Sequence, residues 1–331
     1  MTTRHPGEHR DPLAPVPLDS PRPTAGPVAV LPFAHPAFEA AVVAGGGAVE
    51  PLSDATRGLV WLTPDGPALA AVLAEHPAIE WVQLPLAGIE AFAQIFAAQG
   101  SAPLPVWTSA KGSFAEPVAE HALALTLAVL RGLPEKSRGT SWADPKTGIS
   151  LYGRRVVIVG AGGIAVELLR LLAPWEVDVT IVRRGSDPLP GADRTVPVSQ
   201  LADVLPDADV LILAAAATAE TAHLIGAEQL ALLKPSAALI NIARGSLVDQ
   251  EALVAALESG HLVGAGLDVT TPEPLPDGHP LWTAPRIVIT SHSADTPEMT
   301  EPLLAERIRA NVAALVGGGG FVGRVDPESG Y

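Results

Sequence analysis

One stretch constrains this chain more than any other: GRRVVIVGAGGIAVELL, residues 153–169. Val156 to Val159 is a β-branched run of the kind buried on both faces of a sheet. It breaks at Gly160, and helical spacing begins at once with Ile164, Leu168, Leu169 and Leu172. A second apolar run, Val177 to Val182, follows. Strand, glycine turn, helix and strand within about thirty residues form the unit that binds a dinucleotide.

Each position of the turn has a mechanical reason. Gly160 permits the tight turn. Gly162 lacks a Cβ, so the backbone can approach a pyrophosphate, which then rests on the helix start at Gly163 and Ile164, where unpaired N–H groups favour anions. Ala165 takes the third fingerprint place and still lets helix and strand pack closely. At the end of the second strand, where an NAD site usually carries Asp or Glu for the ribose 2′-hydroxyl, stand Arg183 and Arg184. A carboxylate repels a 2′-phosphate, whereas guanidinium groups bind it. The expectation is NADP(H) ahead of NAD(H), with two solvated arginines as the plain alternative.

The formal net charge of −15 argues against a nucleic-acid partner, which requires clustered Lys and Arg. Without a cysteine there is no disulfide and no thiolate ligand or nucleophile, and no metal site is expected. No segment is long and apolar enough to span a bilayer, and residues 1–26 are rich in proline with no apolar core. They read as a disordered tail of a cytoplasmic protein.

From Val28 the pattern becomes short strands alternating with helical segments: Val28–Leu31, Gly58–Leu62, Ile79–Leu84 and Leu104–Trp107 as strands, with Ala68–Glu75 as a helix. Ala87 and Gly88 follow a strand end, where open α/β sheets place ligand loops; a plain turn is the alternative. Lys111 on the next loop is a candidate for an anionic substrate, or simply a solvated lysine. Pro117 to Arg131 is apolar nearly all round and predicts a buried helix, on which His121 reads as structural rather than catalytic. Gly132 to Ser150 reads as a loop. After Arg184 come strands at Val210–Leu213, Ala238–Ile242, Val263–Val269 and Ile287–Thr290, five or six in this part of the chain, and a helix at Gln250–Glu258. A last helix, Glu301 to Val316, runs into Gly317–Gly320 and a polar tail.

Arg244, Glu273 and His292 each follow a strand's C-terminal end, the edge that faces a cofactor in a doubly wound sheet. Reducing a ketone beside a nicotinamide needs a cation for the substrate carboxylate, a proton donor and a group that orients the donor. These three residues suit those roles.

The motifs NIARGSLVDQEAL (241–253), GAGLDV (264–269), EPLP (273–276), HPLW (279–282) and TSHSA (290–294) resemble the D-isomer-specific 2-hydroxyacid dehydrogenases, as do VAEH (118–121) and the fingerprint opened by Gly160. The resemblance covers about residues 85–318. It implies an α/β fold of two Rossmann-like domains with parallel sheets, the substrate domain discontinuous and closed by the C-terminal helix, with the substrate held between the domains. The expected boundaries are 27–112 plus 296–318 for the substrate domain and 113–295 for the dinucleotide-binding domain, with tails at 1–26 and 319–331.

Carried over by motif, Arg244 would bind the substrate carboxylate and polarise the carbonyl, His292 would donate the proton, and Glu273 would orient His292 and favour its charged form. Asp268 would contact the nicotinamide end of the cofactor. Ala215, Thr221, Ile242, Ala243, Arg244, His292 and Ser293 would complete the cofactor contacts, and Ala87 and Gly88 would offer N–H groups to the substrate. The helix from Pro117 would belong to a homodimer interface.

Two departures bear on this: Ser291 replaces the usual Pro before the histidine, and AATAET (216–221) replaces a usual Pro-containing loop. Both put loop rigidity in doubt. Glu273, where formate dehydrogenases carry Gln, points away from formate. The expected activity is NAD(P)H-dependent reduction of a small 2-oxo acid, glyoxylate or hydroxypyruvate in front. A phosphoglycerate dehydrogenase-like enzyme and a dinucleotide-sensing corepressor are the alternatives; the intact Arg-Glu-His set favours an enzyme.

Overall fold

A computed structural model describes residues 13–18, 21–99, 102, 104–142 and 146–325. The chain divides into two compact units, Met1–Glu116 with Thr296–Tyr331, and Pro117–Asp295.

The first unit is built on four parallel strands, β1 (Val28–Leu31), β2 (Gly58–Trp61), β3 (Trp81–Gln83) and β4 (Val106–Thr108), in that spatial order. A single parallel bridge from Val49 to Val28 lies on the free edge of β1. Counting it as a strand gives the flavodoxin-type order 2-1-3-4-5. All residues of β2 and β3 are buried, as short apolar runs covered on both faces must be. The helix Pro297–Gly317 returns to this unit and packs Leu304, Ile308, Val312 and Leu315 with Phe38 and Val42 of the Pro36–Ala44 helix. Its Asn311 is fully buried and satisfied, donating to Gln83 Oε1 at 2.9 Å and accepting from the Val322 N–H at 2.7 Å.

Those last contacts correct the expectation of a tail from residue 319. Phe321 and Val325 are buried, and Phe321 lies 6.2 Å from Trp81 between ring centroids. Phe321 also forms an antiparallel bridge with Val16, and Arg324 one with Thr108. Val16 and Leu18, which packs on the same core, fall in the stretch read as disordered. The apolar residues in these two segments find each other across the length of the chain. The parts of both expected tails at 1–12, 19–20 and 326–331 lie outside the described residues.

The second unit holds seven parallel strands: β5 (Arg155–Val159), β6 (Asp178–Arg183), β7 (Arg194–Pro197), β8 (Val210–Leu213), β9 (Ala238–Asn241), β10 (Gly264–Leu267) and β11 (Ile287–Ile289). Their order is β11-β10-β9-β8-β5-β6-β7, which reverses between β5 and β8. That reversal is the place where doubly wound sheets bind ligands. The sequence yields five or six strands here because β7 is a short edge strand, RTVP, whose mixed polarity and proline mimic a loop; an edge is where a sheet tolerates proline. Apolar clusters cover both faces of the sheet. One contains Ala119, Ala122, Leu125 and Val129 of the Ala115–Leu130 helix. The segment read as a loop after this helix contains a short helix, Leu133–Lys136. No helix among the described residues is long and apolar enough to cross a membrane.

Candidate active site

The loops that follow β5, β6, β8, β9, β10 and β11 carry the residues singled out in the second unit. After β5, Gly160 has φ +119°, and a Cβ there would lie 2.4 Å from the Ala214 carbonyl oxygen. Only glycine fits the turn between the two strands that flank the reversal. Gly162 caps the Gly163–Leu172 helix with no side chain, and the first intrahelical bond is donated by Val166 to Gly162. The N–H groups of Gly163, Ile164 and Ala165 therefore precede the helical ladder, the arrangement that receives a phosphate. Ala165 is fully buried, consistent with close helix–strand packing.

Arg183 ends β6 half-buried, its Nη1 donating to the Asp187 carbonyl at 3.3 Å, and Arg184 beside it is exposed. After β8, Ala214 to Thr221 forms the loop whose rigidity the sequence left in doubt. Thr221 staples it: its hydroxyl donates to the Ala216 carbonyl at 2.8 Å and accepts from the Thr218 N–H at 2.7 Å. Ala215 lies inside this loop, half-buried.

After β9, Asn241 folds the backbone around Ile242 and Ala243. Its Oδ1 accepts from Ala243 N–H at 3.0 Å and its Nδ2 donates to the Arg244 carbonyl at 3.0 Å. Arg244 Nη1 donates to the Ala243 carbonyl at 2.8 Å. The next residue, Gly245, sits against the loop after β10, since a Cβ there would lie 2.0 Å from the Thr270 carbonyl carbon. Any side chain at 245 would push the Arg244 loop and the Glu273 loop apart.

Glu273 uses both oxygens. Oε1 accepts from Thr270 N–H at 3.0 Å, and Oε2 lies 2.9 Å from His292 Nδ1. A carboxylate can only accept, so Nδ1 carries the proton and Nε2 takes no part in the pair. Glu273 and His292 are both partly exposed, at 37% and 47% of the side chain. Gln250 braces the Glu273 loop from the side: its Oε1 accepts from Thr271 N–H at 2.9 Å and its Nε2 donates to the Thr271 carbonyl.

Asp268, assigned by sequence to the nicotinamide end, is only 2% exposed. Its Oδ1 accepts from the Thr290 hydroxyl at 2.6 Å and from Ser293 N–H at 2.9 Å, and its Oδ2 from Ala294 N–H at 3.2 Å. Its backbone carbonyl accepts from His292 N–H at 2.8 Å. Burial would raise this carboxyl, but hydrogen bonds from His121, Thr290 and Ser293, with the charge of His121, outweigh it and hold it at about 2. Asp268 thus ties down from one position the loop that carries His292. Neighbouring Asp295 moves the other way: burial raises its carboxyl, the Asp268 charge adds to that, and His292 opposes it.

Ala87 and Gly88 lie on the loop after β3 in the first unit, and among the described residues no backbone acceptor takes their N–H groups. The Lys111 loop of that unit is anchored by buried Arg307, which donates to the Ser109 carbonyl at 2.7 Å and the Lys111 carbonyl at 2.9 Å. Residues that sequence reasoning passed over are Asn241, Gln250 and Thr290. Only Asn241 carried a local signal, a short amide at a strand end of the kind that bonds to its own backbone two residues on.

A reversal in strand order, a glycine turn opening an uncapped helix beside it and an oriented acid–base pair on the same sheet edge define a dinucleotide-dependent oxidoreductase. The comparisons give the family. The model of the D-isomer specific 2-hydroxyacid dehydrogenase NAD binding domain matches residues 123–294, more than half of the 331. An uncharacterized protein from the proB 3′ region of Corynebacterium melassecola is 36% identical over 306 residues, 88% of this chain and 95% of that one. The glyoxylate reductase of Thermofilum pendens is 34% identical over 224 residues, 64% of this chain and 65% of its own length. A D-isomer specific 2-hydroxyacid dehydrogenase from Xanthobacter autotrophicus Py2, crystallised with NADPH and MES, superposes with a TM-score of 0.76 at 26% identity over 93% of this chain and 100% of that one. The chain belongs to the D-isomer specific 2-hydroxyacid dehydrogenases, a family of NAD(P)-dependent enzymes.

Proposed function

We propose that this enzyme reduces a small 2-oxo acid, glyoxylate or hydroxypyruvate, prefers NADPH and works as a homodimer. The observation that carries the reading is the Glu273–His292 pair at 2.9 Å, which leaves His292 Nε2 free to give a proton to a carbonyl oxygen. Arg244 binds the substrate carboxylate and draws charge onto that oxygen, and Glu273 keeps the ring in one orientation. The N–H groups of Gly163 and Ile164 hold the cofactor pyrophosphate, while Ala215, Thr221, Ile242, Ala243 and Ser293 line the remainder of its site. Asp268 supports the nicotinamide end through the loop it holds. When bound, the dinucleotide supplies the hydride to the carbonyl carbon.

The preference for NADPH is supported by Arg183 and Arg184 at the end of β6 and by the cofactor crystallised with the Xanthobacter relative. The choice of acid is supported by the similarity to glyoxylate reductase. The dimer is supported by the Ala115–Leu130 helix, which leaves Ala124 exposed and Leu123 and Leu127 half-buried.

The test is oxidation of NADPH and of NADH against glyoxylate, hydroxypyruvate, pyruvate and larger 2-oxo acids. Turnover is expected with glyoxylate or hydroxypyruvate, faster with NADPH. Replacing Arg183 with Asp and Arg184 with Pro should move the preference toward NADH by about tenfold or more, the scale of one lost charge-assisted contact. An unchanged ratio would mean that the arginines do not read the 2′-phosphate.

A further inference from the structure

His121 reads from sequence as a structural histidine. We propose instead that it is a positioning residue for the reaction: through Thr290 and Asp268 it holds the loop that presents His292. The proposal rests on His292 being the proton donor.

His292 has φ +50°, a left-handed backbone conformation that a non-glycine residue keeps only where its surroundings impose it. What imposes it here is Asp268. Three consecutive backbone N–H groups end on that one residue: His292 on its carbonyl, Ser293 on Oδ1 and Ala294 on Oδ2. A carboxylate with 2% exposure needs every partner it has. One partner is the Thr290 hydroxyl, whose single proton is committed to Oδ1 at 2.6 Å. The oxygen of that hydroxyl then requires a donor, and His121 Nε2 stands 2.9 Å away, and 3.4 Å from Asp268 Oδ1 itself.

His121 Nε2–H therefore donates chiefly to Thr290 Oγ1, with Asp268 Oδ1 as its more distant second acceptor, and Thr290 O–H donates to Asp268. His121 also ties the loop to something rigid. It lies in the middle of the Ala115–Leu130 helix, whose Ala119, Ala122 and Leu125 belong to the sheet core. The chain of contacts runs from the sheet-packed helix, through a hydroxyl and a carboxylate, to the backbone of Ser293 and Ala294 directly after the catalytic ring. A histidine that merely filled space would need neither the hydroxyl nor the carboxylate.

The experiment compares His121→Leu, which removes the donor, with His121→Gln, whose amide can still donate to Thr290, and with Thr290→Val, which removes the middle of the relay. Each full-length protein is studied by hydrogen exchange of the 290–295 backbone and by steady-state kinetics on the acid the unaltered enzyme turns over. For His121→Leu and Thr290→Val we expect exchange at 290–295 to speed up about tenfold, with the Ala115–Leu130 helix still protected. We expect kcat to fall about 10- to 100-fold, the scale of a slightly misplaced reacting group, with KM for NADPH unchanged within about twofold. His121→Gln should recover most of both.

Exchange needs no substrate, so a wrong choice of acid leaves that arm standing and is told apart from failure of this proposal. Undisturbed protection at 290–295 in His121→Leu and Thr290→Val would overturn it. So would equal damage from Gln and Leu at position 121. If His121→Leu does not fold, Thr290→Val, which keeps the side-chain volume, decides alone.

Discussion

The two edges of the seven-stranded sheet each hold a carboxylate at a strand end, half-buried Asp209 at one and buried Asp268 at the other, and the two are built from different partners. At the N-terminal edge Asp209, just before β8, accepts from Arg155 N–H at 2.9 Å and Lys234 Nζ at 3.1 Å, with Arg154 Nη1 at 3.8 Å. Its backbone joins β5 and β9 as well. At the C-terminal edge Asp268, just after β10, is met by a hydroxyl, two N–H groups and a histidine. Both carboxyls are held below their usual value against the opposing effect of burial. Fixed cations at the lower edge clamp strand ends that never have to change. Directional donors at the upper edge fix the position of a loop while leaving His292 itself open to solvent. A carboxylate's partners, more than its burial, tell which of the two jobs it has.

The largest effect expected at the upper edge comes from the groups proposed to touch substrate. His292→Ala should lower kcat by about 10²- to 10⁴-fold, the usual contribution of a general acid. Arg244→Ala should lower kcat/KM by about 10²- to 10³-fold, as loss of an electrostatic anchor does. Near-normal turnover in either variant would remove that residue from the mechanism.

Smaller and more telling is the paired exchange of the two aspartates for asparagine. Asp268→Asn replaces an acceptor oxygen with an NH2 group that faces donors. It should lower kcat about 10- to 100-fold through the His292 loop and also cost about 1–3 kcal/mol of stability. Asp209→Asn should cost about 1–2 kcal/mol, a few degrees in Tm, and leave kcat within about twofold. Steady-state kinetics and thermal melts on both proteins are sufficient. If the two variants lose activity equally, the division of labour between the edges is wrong.

Much of the upper edge is legible in the sequence because the features involved are local. The β5 run, Gly160 and the amphipathic start of the next helix lie within one window. Arg244, Glu273 and His292 announce themselves as polar residues directly after apolar strands. What is not legible depends on distant partners. Nothing near His121 shows that it meets Thr290, 169 residues further on. Gln250 looks like any first-turn helix residue until the Thr271 backbone is placed against it. The same holds for Val16 and Phe321, whose pairing brings an apparent tail onto the core of the first unit. β7 escapes for another reason: an edge strand is paired on one side only, so four residues of mixed polarity suffice.

The smallest effect is in acid, and it sharpens the comparison within the upper edge itself. A carboxyl held low in the folded state adds stability that is present above its unfolded value, about 3.9, and lost as the pH falls through the folded value. For Asp268 that window runs from about 3.9 down to about 2, and the contribution at stake is on the order of 2 kcal/mol. Asp295, pushed up by burial, has the opposite sign. It weakens the fold where it is charged, and acidification relieves this above about 3.9 before the loss at Asp268 begins. The urea midpoint of the unaltered protein, followed from pH 7 to pH 3, should therefore gain slightly from Asp295 and then fall below pH 4. Asp295→Asn should be the more stable protein at neutral pH and should lose the early gain, and Asp268→Asn should flatten the later fall. An Asp268→Asn protein that still falls as steeply below pH 4 would place the acid-sensitive group elsewhere, with Asp209, also held low, the next carboxyl to replace.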